Sequence, residues 1–146
     1  MTSTMPKDIE WRFPRRPRSV SRARALLAEQ AHAWKVPDEV TDTAVLLLSE
    51  LMTNAVRHAS VPPGREVSAR CILSDDTTLR VEVADASSAL PEVQHPSLEA
   101  ESGRGLALVT ALATTWGTRP RPYGIGKTVW FELTTTRTQL DASAAD

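Results

Sequence analysis

Glu50 and Asn54 stand four residues apart in the segment SELMTNAVRHA. On a helix that spacing puts both on one face, about one turn apart. An amide oxygen is a hard ligand of the kind Mg²⁺ accepts, and that ion keeps several waters and takes few protein ligands. A carboxylate one turn away can polarise a water or a hydroxyl as general base. Two residues on a solvated helix face have the same spacing, and the wheel alone permits either reading.

Asp85 follows the alternating run Leu79-Arg-Val-Glu-Val-Ala and begins a loop. A carboxylate at a strand end can accept a hydrogen bond from an exocyclic amine such as that of adenine. An ordinary turn aspartate occupies the same kind of position. Next comes Ser102-Gly103-Arg104-Gly105-Leu106, just before a helical pattern. Two glycines leave backbone amides free to approach a phosphate, and a helix N-terminus favours negative charge. Arg104 can add a charged fork to a phosphate oxygen. A flexible loop before a helix has a similar composition. Other phosphate loops fit poorly. A dinucleotide fingerprint needs a third glycine where Leu108 stands, and a P-loop ending in Gly126-Lys127-Thr128 needs a glycine where Arg121 stands. A strand also follows that triplet, where a P-loop requires a helix.

These residues need elements to hold them. Ile9–Phe13 reads as a first strand, stopped by Pro14 and Pro17. Ser19 is placed to cap a helix that carries Val20, Ala23, Leu26, Leu27 and Ala31 at helical spacing and runs to about Trp34. Asp38 can cap the next helix, which spans about Glu39 to Ala59. There Ala44, Val45, Leu48, Leu51, Met52, Ala55, Val56 and Ala59 share one face, and Glu50, Asn54 and Arg57 fall opposite, with His58 near the edge. Two strands follow, Glu66–Leu73 and Thr78–Ala84, joined by the turn Ser74-Asp75-Asp76-Thr77. Residues Ala86–Ser102 form a long polar loop, Gly105–Thr115 a third helix ended by Trp116-Gly117, and Thr128–Thr134 a last strand. Two helices, two adjacent strands, a helix and a strand make an α+β order. The expected architecture is a two-layer sandwich, a mixed and mainly antiparallel sheet with helices on one face. One domain over 9–134 is expected, with a flexible 1–8 and a polar, disordered tail over 135–146.

The chain has 146 residues, the size of one ordinary domain. No apolar run approaches the roughly 20 residues of a membrane helix, and the first residues lack the apolar core of a secretory signal. A single cysteine, Cys71, cannot make an internal disulfide, which fits a reducing cytoplasm. Cys71 sits in an alternating stretch and reads as a small buried apolar residue. Net charge is −1, yet Lys7, Arg12, Arg15, Arg16, Arg18, Arg22 and Arg24 crowd the first segment. Such an arm fits an anionic partner or a solvated helix face. The few aromatic residues available for stacking on bases argue against nucleic acid.

Taken in order, the motifs resemble the Bergerat ATP-binding fold of the gyrase, heat-shock-chaperone, histidine-kinase and MutL type. SELMTNAVRHA looks like the family's asparagine box, VEVADAS its first glycine box, and GRGLALV its second. The opening WRFPRRPRSVSRAR and the closing WG…GKTVWFEL resemble the small stand-alone members, the anti-sigma-factor serine kinases of actinobacterial type. The resemblance covers roughly Ile9 to Leu133. It implies ATP and Mg²⁺ as cofactors. It implies Asn54 as the Mg²⁺ ligand, Glu50 as the general base, and Asp85 as acceptor of the adenine amine. It places Gly103, Arg104 and Gly105 on the phosphates, with Ala86–Ser102 as an ATP lid, and counts Thr128 of the last strand among the nucleotide-binding residues. The first glycine box departs from the usual D-x-G-x-G: here it reads Asp85-Ala86-Ser87-Ser88-Ala89, and Ser87 would turn its hydroxyl to the adenine. His58 lies inside the asparagine box, and no histidine sits in a separate dimerisation helix of the kind sensor kinases use. The resemblance therefore implies transfer to a serine or threonine of a partner protein. That partner would be a sigma factor or an anti-sigma antagonist, and the protein a homodimer. A nucleotide-gated binding module without catalysis is the alternative, and a nucleic-acid binder using the arginine arm ranks after it.

Overall fold

The computed structural model describes residues 7–58, 66–85, 107–120 and 126–135. Along these residues the chain forms β1 (Lys7–Pro14), α1 (Arg18–Ala33), α2 (Asp38–His58), β2 (Glu66–Ser74) and β3 (Thr78–Asp85). A helical stretch, α3 (107–112), then precedes β4 (Thr115–Pro120) and β5 (Lys127–Thr134). The five strands make one sheet in the order β1-β2-β3-β5-β4. All four pairings are antiparallel, so the parallel component expected of a mixed sheet is missing from the described residues.

Strand alternation sorts the sheet into two unlike faces. Phe13, Val67, Ala69, Cys71, Leu73, Leu79, Val81, Val83, Phe131 and Leu133 fall on one face, and all are buried. They meet Ala23, Leu27 and Ala31 of α1 and Ala44, Leu47, Leu48, Leu51, Met52 and Ala55 of α2 in a single core. The opposite face carries charge. Arg80 donates to Glu82 at 2.7 Å and to Glu132 at 3.0 Å, and its guanidinium lies 4.0 Å from the ring centroid of Trp130. Arg70 donates to Asp8 across β1 and β2, a hydrogen bond that holds the Asp8 carboxyl below its ordinary range. Among the described residues no helix is long and apolar enough to cross a membrane.

The α1–α2 connection is a Schellman turn. Val36 N–H donates to Ala31 O at 2.9 Å and Lys35 N–H to His32 O at 3.0 Å, with Lys35 at φ 61°. The β2–β3 hairpin turns on Asp75 and Asp76, both at positive φ, closed by Thr77 N–H to Ser74 O at 2.9 Å. This is the mirror-type turn whose twist matches paired strands, and aspartate tolerates it.

Four sequence expectations need correction here. Ser19 does not cap α1 from outside. It lies one residue inside the helix, buried, and its hydroxyl donates back to Pro14 O, tying the end of β1 to α1. The third helix does not run to Thr115. Its described part ends at residue 112, and Thr115–Pro120 is the edge strand β4. Thr114 N–H reaches Glu132 O at 2.8 Å and hooks the chain onto β5. Gly117 is no helix terminator. It sits opposite Trp130, where a Cβ would come within 2.8 Å of Cζ2 of the indole. The strand also starts earlier at the front, since Lys7 and Asp8 belong to β1. The expected lid (86–102), the Val61–Gly64 loop and residues 136–146 of the tail lie outside the described residues.

Candidate functional site

The longest helix, α2, positions the first pair. It has no internal glycine or proline, and Asp38 and Glu39 in its first turn suit the helix dipole. Glu50 and Asn54 follow one another on its surface, each part-buried. They are less solvated than the wheel predicted. Leu47, omitted from the apolar face in the sequence reading, is fully buried and lies one turn before Glu50 on the same side. The Glu50–Asn54 row therefore borders the core, and Arg57 beyond it is exposed. Burial on one side fixes the row's direction, which a fully solvated face would not do.

The strand β3, crossed by α2, delivers Asp85. It is the last residue of β3 and is only 4% exposed. Alternation puts it on the helix-covered face with Leu79, Val81 and Val83. An ordinary turn aspartate would be solvated; this one is buried, and a buried carboxylate persists only with compensating partners. Lys127 supplies one of them. It stands directly opposite on β5, with Nζ 4.0 Å from Asp85 Oδ2. Gly126, at φ 138°, brings the chain into β5 through a conformation that other residues rarely adopt.

Thr128 is buried, but it pairs with Ala84, one step off the Asp85–Lys127 rung. Alternation turns its side chain to the sheet face opposite Asp85, so the structure does not bring that side chain to the same face. Ser87, Gly103, Arg104 and Gly105 lie outside the described residues. Sequence reasoning missed Lys127: Gly126-Lys127-Thr128 reads as a poor P-loop and as the start of the closing strand, and neither reading gives the lysine a role. The usable signal was the register: two alternating strands that pair antiparallel put the residue after Gly126 opposite the aspartate that ends β3.

The donor set suits a magnesium nucleotide. Among the described residues no group of three or more His, Cys, Asp and Glu could hold a metal on its own. Asn54 offers one hard oxygen, which matches an ion that takes most of its ligands from phosphates and water. The family model for the histidine kinase-like ATPase domain matches residues 13–132. This chain belongs to that family. The match runs from the end of β1 into β5 and contains every candidate residue named above. Among solved structures, the Erythrobacter litoralis EL346 blue-light activated histidine kinase is similar, with a TM-score of 0.55 and 27% identity over 72% of this chain. The likeness covers 33% of that kinase, so the chain spans about a third of its length. No curated protein matches the sequence. Membership of the histidine kinase-like ATPase family supports ATP binding, and the α+β fold with its antiparallel sheet accords with it.

Proposed function

We propose that the chain is an Mg²⁺- and ATP-binding regulatory kinase of the anti-sigma type, transferring phosphate to a serine or threonine of a partner antagonist protein. One observation carries the reading. Glu50 and Asn54 stand one turn apart at the core border of α2, and α2 lies across the strand that ends in buried Asp85. Asn54 would hold Mg²⁺ through its amide oxygen, and Asp85 would take the exocyclic amine of the base. Glu50 would draw the proton from the partner's hydroxyl. Mg²⁺ held there would supply charge neutralisation at the transferring phosphate, a reaction in which positioning and electrostatics do most of the work. By sequence resemblance, Gly103, Arg104 and Gly105 add backbone amides and one guanidinium on the phosphates, and Ser87 meets the base. The hydroxyl acceptor and the homodimer rest on resemblance to the small stand-alone kinases. The test is incubation with radiolabelled ATP, Mg²⁺ and an extract of the source cells. Label on a serine or threonine of another protein, lost with Glu50→Ala, supports the reading. Acid-labile label on the chain's own histidine contradicts it.

One sequence feature favours a second reading. Ala86-Ser87-Ser88-Ala89 replaces the glycines of the first glycine box. A nucleotide-gated binding protein without phosphate transfer accommodates that change. It predicts a partner captured in an ATP-dependent manner, unlabelled, and held equally well by the Glu50→Ala protein.

A further inference from the structure

The surroundings of Asp85 bear on which base the site accepts, an inference that rests on the nucleotide reading above. Asp85 and Lys127 are direct partners on β3 and β5, so strand geometry projects both side chains from one face. Their charges lie 4.0 Å apart. On its other flank Asp85 faces Val67 of β2, apolar and fully buried. The helix packed against β3 is α2, whose ionisable residues are Asp38, Glu39, Asp42, Glu50, Arg57 and His58. Burial pushes a carboxylate toward its neutral form, and a cation within a few ångströms opposes that push. Lys127 is the cation that the β5 register places beside it.

We propose that Lys127 sets the base specificity of this site by keeping Asp85 ionised. An ionised carboxylate only accepts hydrogen bonds, whereas a neutral carboxyl both donates and accepts. The 6-amine of adenine donates; the 6-oxo group of hypoxanthine accepts. With Lys127 present, the oxo base meets acceptor against acceptor and is rejected. Without Lys127, a neutral Asp85 can turn its proton to the oxo group, and the distinction fades. Lys127 acts through Asp85, which makes it a positioning residue.

The test compares ATP with inosine triphosphate, bound in the presence of Mg²⁺ and measured by calorimetry. The proteins are the full wild-type chain, Lys127→Met and Lys127→Arg. The wild type should prefer ATP by about tenfold or more, the range for a hydrogen bond to a charged group. Lys127→Met should bring the two nucleotides within about threefold, and Lys127→Arg should restore the preference. Carbon NMR of the nucleotide-free proteins should show the Asp85 carboxyl titrating at higher pH in Lys127→Met. Lys127→Gln repeats the comparison should the methionine variant unfold. A folded variant that keeps the wild-type preference, with Asp85 titrating as before, overturns the proposal while leaving ATP binding intact. A wild type that binds neither nucleotide removes the nucleotide reading itself, and this inference with it.

Discussion

Gly117 and Trp130 face each other across β4 and β5, and a Cβ on Gly117 would come within 2.8 Å of the indole Cζ2. The ring cannot retreat easily, because the Arg80 guanidinium lies over it at 4.0 Å and is itself bonded to Glu82 and Glu132. Gly117→Ala should therefore destabilise the fold by about 1–3 kcal/mol, the usual cost of overpacking. Urea unfolding of the two proteins measures it. An unchanged midpoint would mean that β4 and β5 can shift apart freely.

Lys35 occupies the left-handed position that ends α1, at φ 61°, where glycine is the usual occupant. Lys35→Gly should relieve that strain and raise stability by about 0.5–1 kcal/mol, net of the entropy glycine adds to the unfolded chain. A thermal melt showing a lowered midpoint would show that the lysine side chain contributes more than its backbone costs.

Burial pushes the Cys71 thiol up to about 12. The folded value lies above the ordinary value of 9.0, so its contribution to stability is complete below about pH 9 and is lost as pH rises toward 12. At pH 8 the native protein should resist thiol reagents, and urea should expose one reactive group. Rapid native-state labelling would contradict the core position of Cys71.

Much of this fold could be read from residue order. The apolar repeat of α2, the alternation of β2 and β3 and the aspartate turn between them correspond to elements in the structure. The edge strand β4 was missed for a physical reason. Ala111, Leu112 and Ala113 favour helix locally, and what pulls Thr115–Pro120 into the sheet is pairing with β5, a tertiary contact that no local window contains. Ser19 misled in the same way, since its partner is Pro14 behind it, not an amide ahead.

The site divides similarly. Glu50, Asn54 and Asp85 were visible as residue types at element ends or at helical spacing. Their burial was not, because it depends on Leu47 turning inward and on β5 lying beside β3. Lys127 became meaningful only once the register set it opposite Asp85.

If Glu50 is the general base, Glu50→Ala should leave Mg²⁺-dependent ATP binding near the wild-type value. Phosphate transfer to the partner should fall ~10²-fold or more. Binding and single-turnover transfer, measured on the same preparation, separate the two effects. Transfer at the wild-type rate would remove Glu50 from the chemistry.

The central claim is a nucleotide site organised by Asn54, and calorimetry of ATP with Mg²⁺ on the wild type and on Asn54→Ala tests it most directly. The wild type should bind saturably and only with Mg²⁺, and that binding should disappear in the variant. Equal binding by both proteins, or Mg²⁺-independent binding by the wild type, would contradict it.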